Sequence, residues 1–167
     1  MSKSKQSSVA KYFALFAACV IIALVIYVIY KQFEEYTLKD DPKLKELKKI
    51  FEDFFNQERY WKGNLSPLNK REIMKETDLY RGDKSYTINK ERVYLCLKDE
   101  HDEYYSLNML IYVLAHEYSH VISKSIGHTE EFHAIFEELL VELADEGIYD
   151  PSEPIIVDYC HQGDNLK

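Results

Sequence analysis

The chain has 167 residues, a formal net charge of -8 and an apolar fraction of 46%, which is ordinary for a globular protein. This length suits one domain with its own core, but not two once a membrane segment is subtracted. The negative charge lies mainly in residues 129–167, which contain 11 acidic residues and 1 basic residue. Nucleic-acid binding normally requires a basic patch, so the composition argues against that class of function.

The first predicted element is a transmembrane helix over residues 12–30. This stretch contains 19 residues without a charge and is bracketed by Lys11 and Lys31; a helix of that length spans about 28 Å, close to the hydrocarbon core of a bilayer. A cleaved signal peptide and a buried core helix are alternatives, but no small-residue cleavage site follows, which favours an uncleaved anchor. Residues 1–11 are then a short polar tail and residues 31–41 a connector. More lysines follow the span than precede it, which favours a cytosolic domain.

Residues 42–167 are predicted to form one domain that begins with an amphipathic helix. Asp41 is a typical N-cap and Pro42 a typical first-turn residue, and apolar residues then recur at helical spacing. Gly127 and Gly147 end the two long helices that come later in the chain. The elements predicted after the first helix are a short helix (70–77), two strands (86–88 and 92–97) joined by a turn at Asn89 and Lys90, two long helices (106–126 and 129–146) and a last strand (155–158).

Three cysteines, Cys19, Cys96 and Cys160, do not have the spacing of a structural zinc site or of a disulfide framework. Cys19 lies in the apolar run and is predicted to act as a small hydrophobic residue. Cys96 and Cys160 could pair in an oxidising compartment. Free cysteines are often buried, so we expect two free buried thiols rather than a disulfide.

The sequence LAHEYSHVIS lies inside the first long helix and has the spacing of a metal site. His116 and His120 are four residues apart, so their imidazoles lie on one face of the helix, one turn apart. Zinc suits nitrogen ligands, and a catalytic zinc site needs three protein ligands and one position for water. Glu117 is offset by about 100° from His116. Its carboxylate is therefore predicted to act as the general base that activates the water.

The third metal ligand is expected just beyond this helix. Gly127 allows the chain to reverse and bring His128 back toward the metal, so His128 is the preferred candidate. Rivals lie on the following helix, because a carboxylate completes many zinc sites. These rivals are His133, Glu131, Glu138 and Glu142. Tyr159 and His161 are further candidates, for stabilising the oxyanion of a transition state.

The stretch HEYSHVISKSIGHTEEFHAIFEEL resembles the active site of the WLM and SprT-like zincin metallopeptidases, in which H-E-x-x-H is followed by H-x-x-x-F. The resemblance covers about Val93 to Leu143 and implies that His128 is the third zinc ligand and Phe132 the packing residue after it. It also implies an α+β, zincin-like fold: an active-site helix, a small antiparallel sheet and a following helix. In zincins a strand beside the active helix binds the substrate backbone, and residues 93–97 would fill that place.

The expected function is therefore that of a membrane-anchored, zinc-dependent metallopeptidase acting on peptides or proteins. Domains that resemble this one occur in DNA–protein crosslink proteases and in proteins of large DNA viruses. Two alternatives are a zinc-stabilised structural or virion membrane protein without catalysis, and a DNA-associated protease. The chain lacks the cysteine-rich module and basic tail of DNA-dependent relatives, and the N-terminal anchor favours a membrane or viral setting.

Overall fold

Five α-helices and a three-stranded sheet form the part of the chain described by the computed structural model, residues 3–157 and 159–161. Side chains are described for residues 11–157 and 159–160. By contacts the chain divides into two compact units, Met1–Thr37 and Leu38–Lys167. The helices are α1 (Lys3–Lys39), α2 (Pro42–Phe55), α3 (Ile73–Glu76), α4 (Leu107–Ile122) and α5 (Glu130–Asp145), and the strands are β1 (Asp78–Arg81), β2 (Tyr86–Ile88) and β3 (Arg92–Leu95).

Helix α1 contains the predicted span of residues 12–30 and continues as a helix through the polar connector to Lys39. Residues 11–39 are long and apolar enough to cross a membrane, which is also true of a signal sequence. None of the most apolar window is buried. The core helix of a soluble protein, which was the other alternative, is instead mostly buried.

Helix α2 begins where its sequence predicts. The Asp41 side chain accepts hydrogen bonds from the backbone N–H groups of Lys43 (2.9 Å) and Leu44 (3.3 Å), and Pro42 occupies the first turn. A helix N-terminus leaves its first N–H groups without partners in the helix, so this cap stabilises the start of α2. The helix buries one face, formed by Leu44, Leu47, Phe51 and Phe54.

The sheet is mixed, and the prediction of an antiparallel sheet was wrong for one of its two strand pairs. Strand β3 lies in the centre, antiparallel to β2 and parallel to β1. The chain passes from β1 to β2 through a tight reversal at Gly82, where an added Cβ would lie 2.8 Å from the Lys84 carbonyl oxygen and 3.2 Å from Tyr94 Cβ. The chain reverses direction beside Tyr94, and β2 then pairs with the edge of β3 opposite to the one that β1 occupies.

Three stacked tyrosines fix the register of the sheet. Tyr94 of β3 lies opposite Tyr80 of β1 and Tyr86 of β2, with ring centroids 4.9 and 4.7 Å apart. Such cross-strand aromatic pairs stabilise one register over its neighbours. The predicted turn at Asn89 and Lys90 is confirmed: both residues have positive φ (51° and 59°), and the Glu91 N–H donates to the Ile88 carbonyl at 3.1 Å to close the turn.

The two long helices follow the sequence pattern closely. Helix α4 begins at the Ser106 cap, is buried on nearly all sides and packs on the sheet and on α5. It ends at Ile122, earlier than predicted, because Ser123 adopts an extended conformation (ψ 145°). Helix α5 begins after the Thr129 cap, and the chain leaves it through Gly147, whose φ of +68° is easily adopted by glycine.

The C-terminal segment differs from the prediction in two respects. Residues 155–157 do not form a strand, and Asp158, the last residue of the predicted strand, lies outside the described residues. Cys96 and Cys160 form a disulfide, so the expectation of two free thiols was wrong. The segment returns to the end of β3, where Tyr159 packs on Tyr105 and brings the two Cα atoms to 6.3 Å, within the range that a disulfide can bridge.

Candidate functional site

A cleft of about 470 Å³ lies between the β2–β3 hairpin, helix α4 and the loop that follows α4. The predicted metal ligands and Glu117 all line it. Helix α4 places His116, Glu117 and His120 in the cleft because it is pinned on the sheet by buried apolar residues on its other faces. One wall is formed by the hairpin and the opposite wall by the loop that carries His128.

The structure brings the three predicted metal ligands together. The Nε2 atom of His128 lies 3.1 Å from that of His116 and 3.2 Å from that of His120. One ligand atom from each of the three residues lies within 4.8 Å of the others, so the group could hold a metal ion. His116 is buried, His120 is half-buried and His128 is exposed, which leaves the group open to the cleft on one side.

The Phe132 ring packs against all three imidazole rings. Its ring centroid lies 4.3 Å from that of His120, 4.8 Å from that of His128 and 4.9 Å from that of His116. This contact agrees with the packing role that the family resemblance implied for Phe132. Since Phe132 is 1% exposed, the rings rest on the rigid core of the domain.

The environment keeps the imidazoles neutral. Burial, followed by the neighbouring histidines, lowers the pKa of His116 to about 3. Burial and the proximity of His128 and Lys90 lower the pKa of His120 to about 4, and the pKa of His128 is also lowered. Because only a neutral imidazole has a lone pair for a metal ion, all three residues are in the ligand form at neutral pH.

The rival ligands are engaged elsewhere or exposed. Glu131 binds the loop that follows α4, Glu138 accepts a hydrogen bond from the backbone N–H of Asn64 (2.8 Å), and Glu142 pairs with Arg59 (3.0 Å). His133 is exposed, and its ring centroid lies 6.3 Å from that of His128. None of these four belongs to the three-histidine group.

Glu117 is buried beside this group and has one strong polar partner. The hydroxyl of Thr87 in β2 donates a hydrogen bond of 2.7 Å to Glu117 Oε2. Burial raises the pKa of Glu117 to about 7, while the hydrogen bond from Thr87 opposes part of this rise. A carboxylate that exchanges its proton near neutral pH suits general acid–base chemistry.

Of the two oxyanion candidates, Tyr159 lines the cleft, but its hydroxyl is already engaged. The Tyr159 side chain is 1% exposed, and its hydroxyl donates to the carbonyl of Cys96 and lies 3.2 Å from Ser85 Oγ. These contacts hold the C-terminal segment against the hairpin, so the hydroxyl has a structural role. The side chain of His161 lies outside the described residues.

The strand that borders the cleft is β2, so the assignment of residues 93–97 to substrate binding was wrong. Both edges of β3 are already paired, one with β1 and one with β2, and a paired edge cannot accept a further strand. Within the described part of the chain, no strand pairs with the outer edge of β2. Tyr86 and Thr87 of this strand line the cleft.

The chain is similar to two proteins of invertebrate iridescent viruses. It is 46% identical over 101 residues to uncharacterized protein 136R of Invertebrate iridescent virus 6, which covers 59% of this chain and 57% of that protein. It is 38% identical over 99 residues to uncharacterized protein 042R of Invertebrate iridescent virus 3, with 59% and 62% covered. The chain thus spans about three-fifths of the length of these relatives. The likeness agrees with the viral setting expected from the sequence.

No known protein family and no solved structure matches the chain. The zincin-like fold and the peptidase activity therefore stay predictions, whereas the mixed α+β architecture and the three-histidine group are properties of the structure itself.

Sequence reasoning missed the contacts that the hairpin makes with the site. Thr87 lies 30 residues before Glu117, and Lys90 lies 33 residues before Ser123, to whose carbonyl it donates. The turn at Asn89 and Lys90 was predictable, but its partners were not. Pairing between distant segments depends on how α4 packs on the sheet, and a local pattern does not carry that information.

Proposed function

We propose that the chain is a membrane-anchored zinc metallopeptidase in which His116, His120 and His128 would hold the metal. The main support is the spacing of the three imidazole nitrogens. Two ligand atoms of a tetrahedral zinc ion lie about 3.3 Å apart when each bond is about 2.05 Å long. The separations of 3.1 and 3.2 Å from His128 Nε2 are close to this value. Neutral imidazoles are also the nitrogen donors that zinc prefers.

In the proposed reaction Glu117 is the general base. When bound, zinc would supply the Lewis acidity that activates water and polarises the scissile carbonyl. Glu117 takes a proton from the attacking water and then delivers it to the leaving amine. Thr87 holds the Glu117 carboxylate in place through its 2.7 Å hydrogen bond, so the base does not have to be ordered during the reaction.

An extended peptide is the substrate that best fits the cleft. The outer edge of β2 offers backbone N–H and C=O groups to a further strand, and such pairing fixes a peptide in an extended conformation. Both Tyr86 and Ile88 have exposed side chains on this strand. A substrate paired with β2 would cross the cleft in front of the histidines.

The two alternative functions have less support. A metal that only stabilises a fold does not require an open cleft or a buried carboxylate beside it, and this site has both. Structural zinc sites are instead closed by four protein ligands. A DNA-associated protease would need a basic surface, whereas α5, which follows the site, contains five Glu and one Asp but no Lys or Arg.

Residues 12–30 are proposed to be an uncleaved anchor, and two observations bear on the side of the membrane on which the domain lies. The lysine count favours a cytosolic domain, but the positive-inside rule loses force for long domains. A disulfide persists in an oxidising compartment and is rare in the cytosol. We therefore give more weight to the Cys96–Cys160 bond than to the lysine count and propose that the domain lies on an oxidising side. Alkylation of thiols in intact cells tests this, since two free thiols at 96 and 160 would favour the cytosol.

The test of the proposal is zinc content measured together with peptide cleavage, on the full chain in detergent. We expect about one zinc per chain, cleavage of unstructured peptides, loss of cleavage on chelation and recovery when zinc is added back. The His128→Ala variant should lose zinc, because a site with two ligands binds far more weakly than a site with three.

The matched control is His133→Ala, which removes the exposed neighbouring imidazole. This variant should keep the wild-type zinc content. Zinc loss in His133→Ala together with normal zinc in His128→Ala would show that the third ligand is assigned to the wrong residue. A wild-type chain that binds no zinc would refute the proposed function.

A change at Thr87 should alter the pH dependence of cleavage. The hydrogen bond from Thr87 lowers the pKa of Glu117, so its removal in Thr87→Val raises that pKa further. The base acts in its deprotonated form, and the acidic limb of the kcat/KM profile should therefore move to higher pH. Thr77→Val is the control, because the Thr77 hydroxyl bonds to the Ile73 carbonyl, outside the cleft. An unchanged limb in Thr87→Val would contradict this role.

A further inference from the structure

The tip of the loop that carries His128 has little apolar packing. We call residues 123–129, between α4 and α5, the ligand loop. At its tip Ile126 is 92% exposed, and Gly127 has φ +83° with open space where a side chain would lie. Apolar contacts therefore do not fix the tip, yet His128 must come within bonding distance of the same metal ion as two histidines of a rigid helix.

Glu131 holds the ligand loop from the side of α5. Its Oε2 atom accepts hydrogen bonds from the backbone N–H of Ser125 (3.1 Å), from the Ser125 hydroxyl (2.7 Å) and from the Ser123 hydroxyl (3.2 Å). Its Oε1 atom accepts from the backbone N–H of Lys124 (3.2 Å). One carboxylate thus collects four donors from three consecutive loop residues, and hydrogen bonds to a charged acceptor are stronger than neutral ones.

Lys90 holds the same loop from the side of the hairpin. Its ammonium group donates to the carbonyl oxygen of Ser123 and to that of Ser125, the latter at 3.3 Å. Glu131 thus binds the N–H and hydroxyl groups of this segment, and Lys90 binds its carbonyl groups. The two residues come from separate elements, so the segment is fixed relative to both α5 and the sheet.

We propose that Lys90 and Glu131 are positioning residues that preorganise the ligand loop so that His128 can complete the metal site. The inference rests on the proposed function only in requiring that the three histidines bind zinc. A ligand on a loose loop must be ordered when the metal binds, and this ordering weakens affinity. A preorganised ligand avoids that loss, and residues that orient ligands typically change metal affinity by about 10- to 100-fold when they are replaced.

The experiment measures the zinc dissociation constant of the full chain in detergent, by competition with a chromogenic chelator. Glu131→Gln keeps the shape of the side chain, but the amide is a weaker hydrogen-bond acceptor than a carboxylate and its NH2 group cannot accept from the four donors. Lys90→Met keeps the aliphatic part of the side chain and removes the ammonium group. We expect each variant to bind zinc about tenfold more weakly. Lys90→Arg, which retains charge and donors, should recover most of the affinity.

Two control variants separate positioning from general electrostatics. Glu130→Gln makes the same change at the exposed neighbour in the first turn of α5, and Lys124→Met removes an exposed charge from the loop itself. Both should stay within about twofold of the wild-type affinity. Melting of the metal-free proteins, followed by Trp61 fluorescence, reports whether Glu131→Gln and Lys90→Met are folded.

Three results would overturn the inference. The first is wild-type zinc affinity in folded Glu131→Gln and Lys90→Met; this leaves the zinc site and the proposed peptidase intact. The second is an equal loss in the control variants, which would assign the effect to net charge. The third is a wild-type chain without zinc binding, and this result would also refute the proposed function.

Discussion

Replacement of Glu117 by glutamine is expected to reduce peptide hydrolysis by about 100- to 10,000-fold, the usual contribution of a general base. Glutamine has nearly the same volume as glutamate, so the buried site stays filled, and the amide oxygen can still accept the hydrogen bond from Thr87. The amide cannot take a proton from water. Glu117 does not belong to the group of three histidines that would bind zinc. The zinc content of the variant should therefore stay at the wild-type level.

The measurement is single-substrate kinetics on the full chain in detergent, with zinc determined on the same samples. Glu130→Gln, the same substitution at an exposed position of α5, is the control and should retain full activity. Normal hydrolysis by Glu117→Gln would refute the general-base role. A wild-type chain that folds and binds zinc but does not hydrolyse peptides would favour the alternative of a zinc-stabilised structural protein.

Removal of the Cys96–Cys160 disulfide is expected to destabilise the domain by about 4 kcal/mol, from the chain-entropy estimate for a closed loop of this size. The two cysteines are 64 residues apart, and the closed loop begins directly after β3 and contains all of α4 and all of α5. For a domain of this size the melting temperature should fall by roughly 10 to 20 °C. The fluorescence of Trp61, the single tryptophan, reports this transition because Trp61 is buried beside Phe54.

The variant for this test is Cys96→Ala with Cys160→Ala, and the control is Cys19→Ala, which removes the free cysteine of α1. The control should melt at the wild-type temperature. Reduction of the wild-type protein should lower its melting temperature to that of the double variant. Equal stability of all three proteins would contradict a stabilising disulfide.

Local patterns predicted the elements that depend on neighbouring residues. The Asp41 cap, the turn at Asn89 and Lys90, and α5 between the Thr129 cap and Gly147 all agree with the structure. In each case a few adjacent residues determine the backbone conformation. Strand β1 was missed because it has four residues and does not alternate between buried and exposed positions. Its parallel pairing with β3 depends on the reversal at Gly82, which a local pattern does not reveal.

In the candidate site, too, local patterns predicted some features and others depended on contacts between distant segments. Helical spacing alone predicted that His116, Glu117 and His120 share one region of α4, and the structure brings His128 to them. The sequence preferred His128 as the third ligand but left Glu131 open as a rival, and the fold separates the two because only His128 belongs to the histidine group. In the structure Glu131 accepts hydrogen bonds from the ligand loop instead of facing the metal site. These hydrogen bonds lower the pKa of Glu131 to about 2, so the carboxylate stays charged.

The length of the turn between β2 and β3 has a consequence for insertions and deletions. Surface turns generally tolerate them, but the register of β2 determines which side chain faces α4. If a one-residue insertion before Lys90 shifted β2 by one position, every β2 side chain would move to the opposite face, and Thr87 would turn away from Glu117. Strand β3 could not shift to compensate, because β1 and the fully buried Val93 and Leu95 hold it in place. Homologues with an intact site should therefore keep the length of this turn and a basic residue at the position of Lys90.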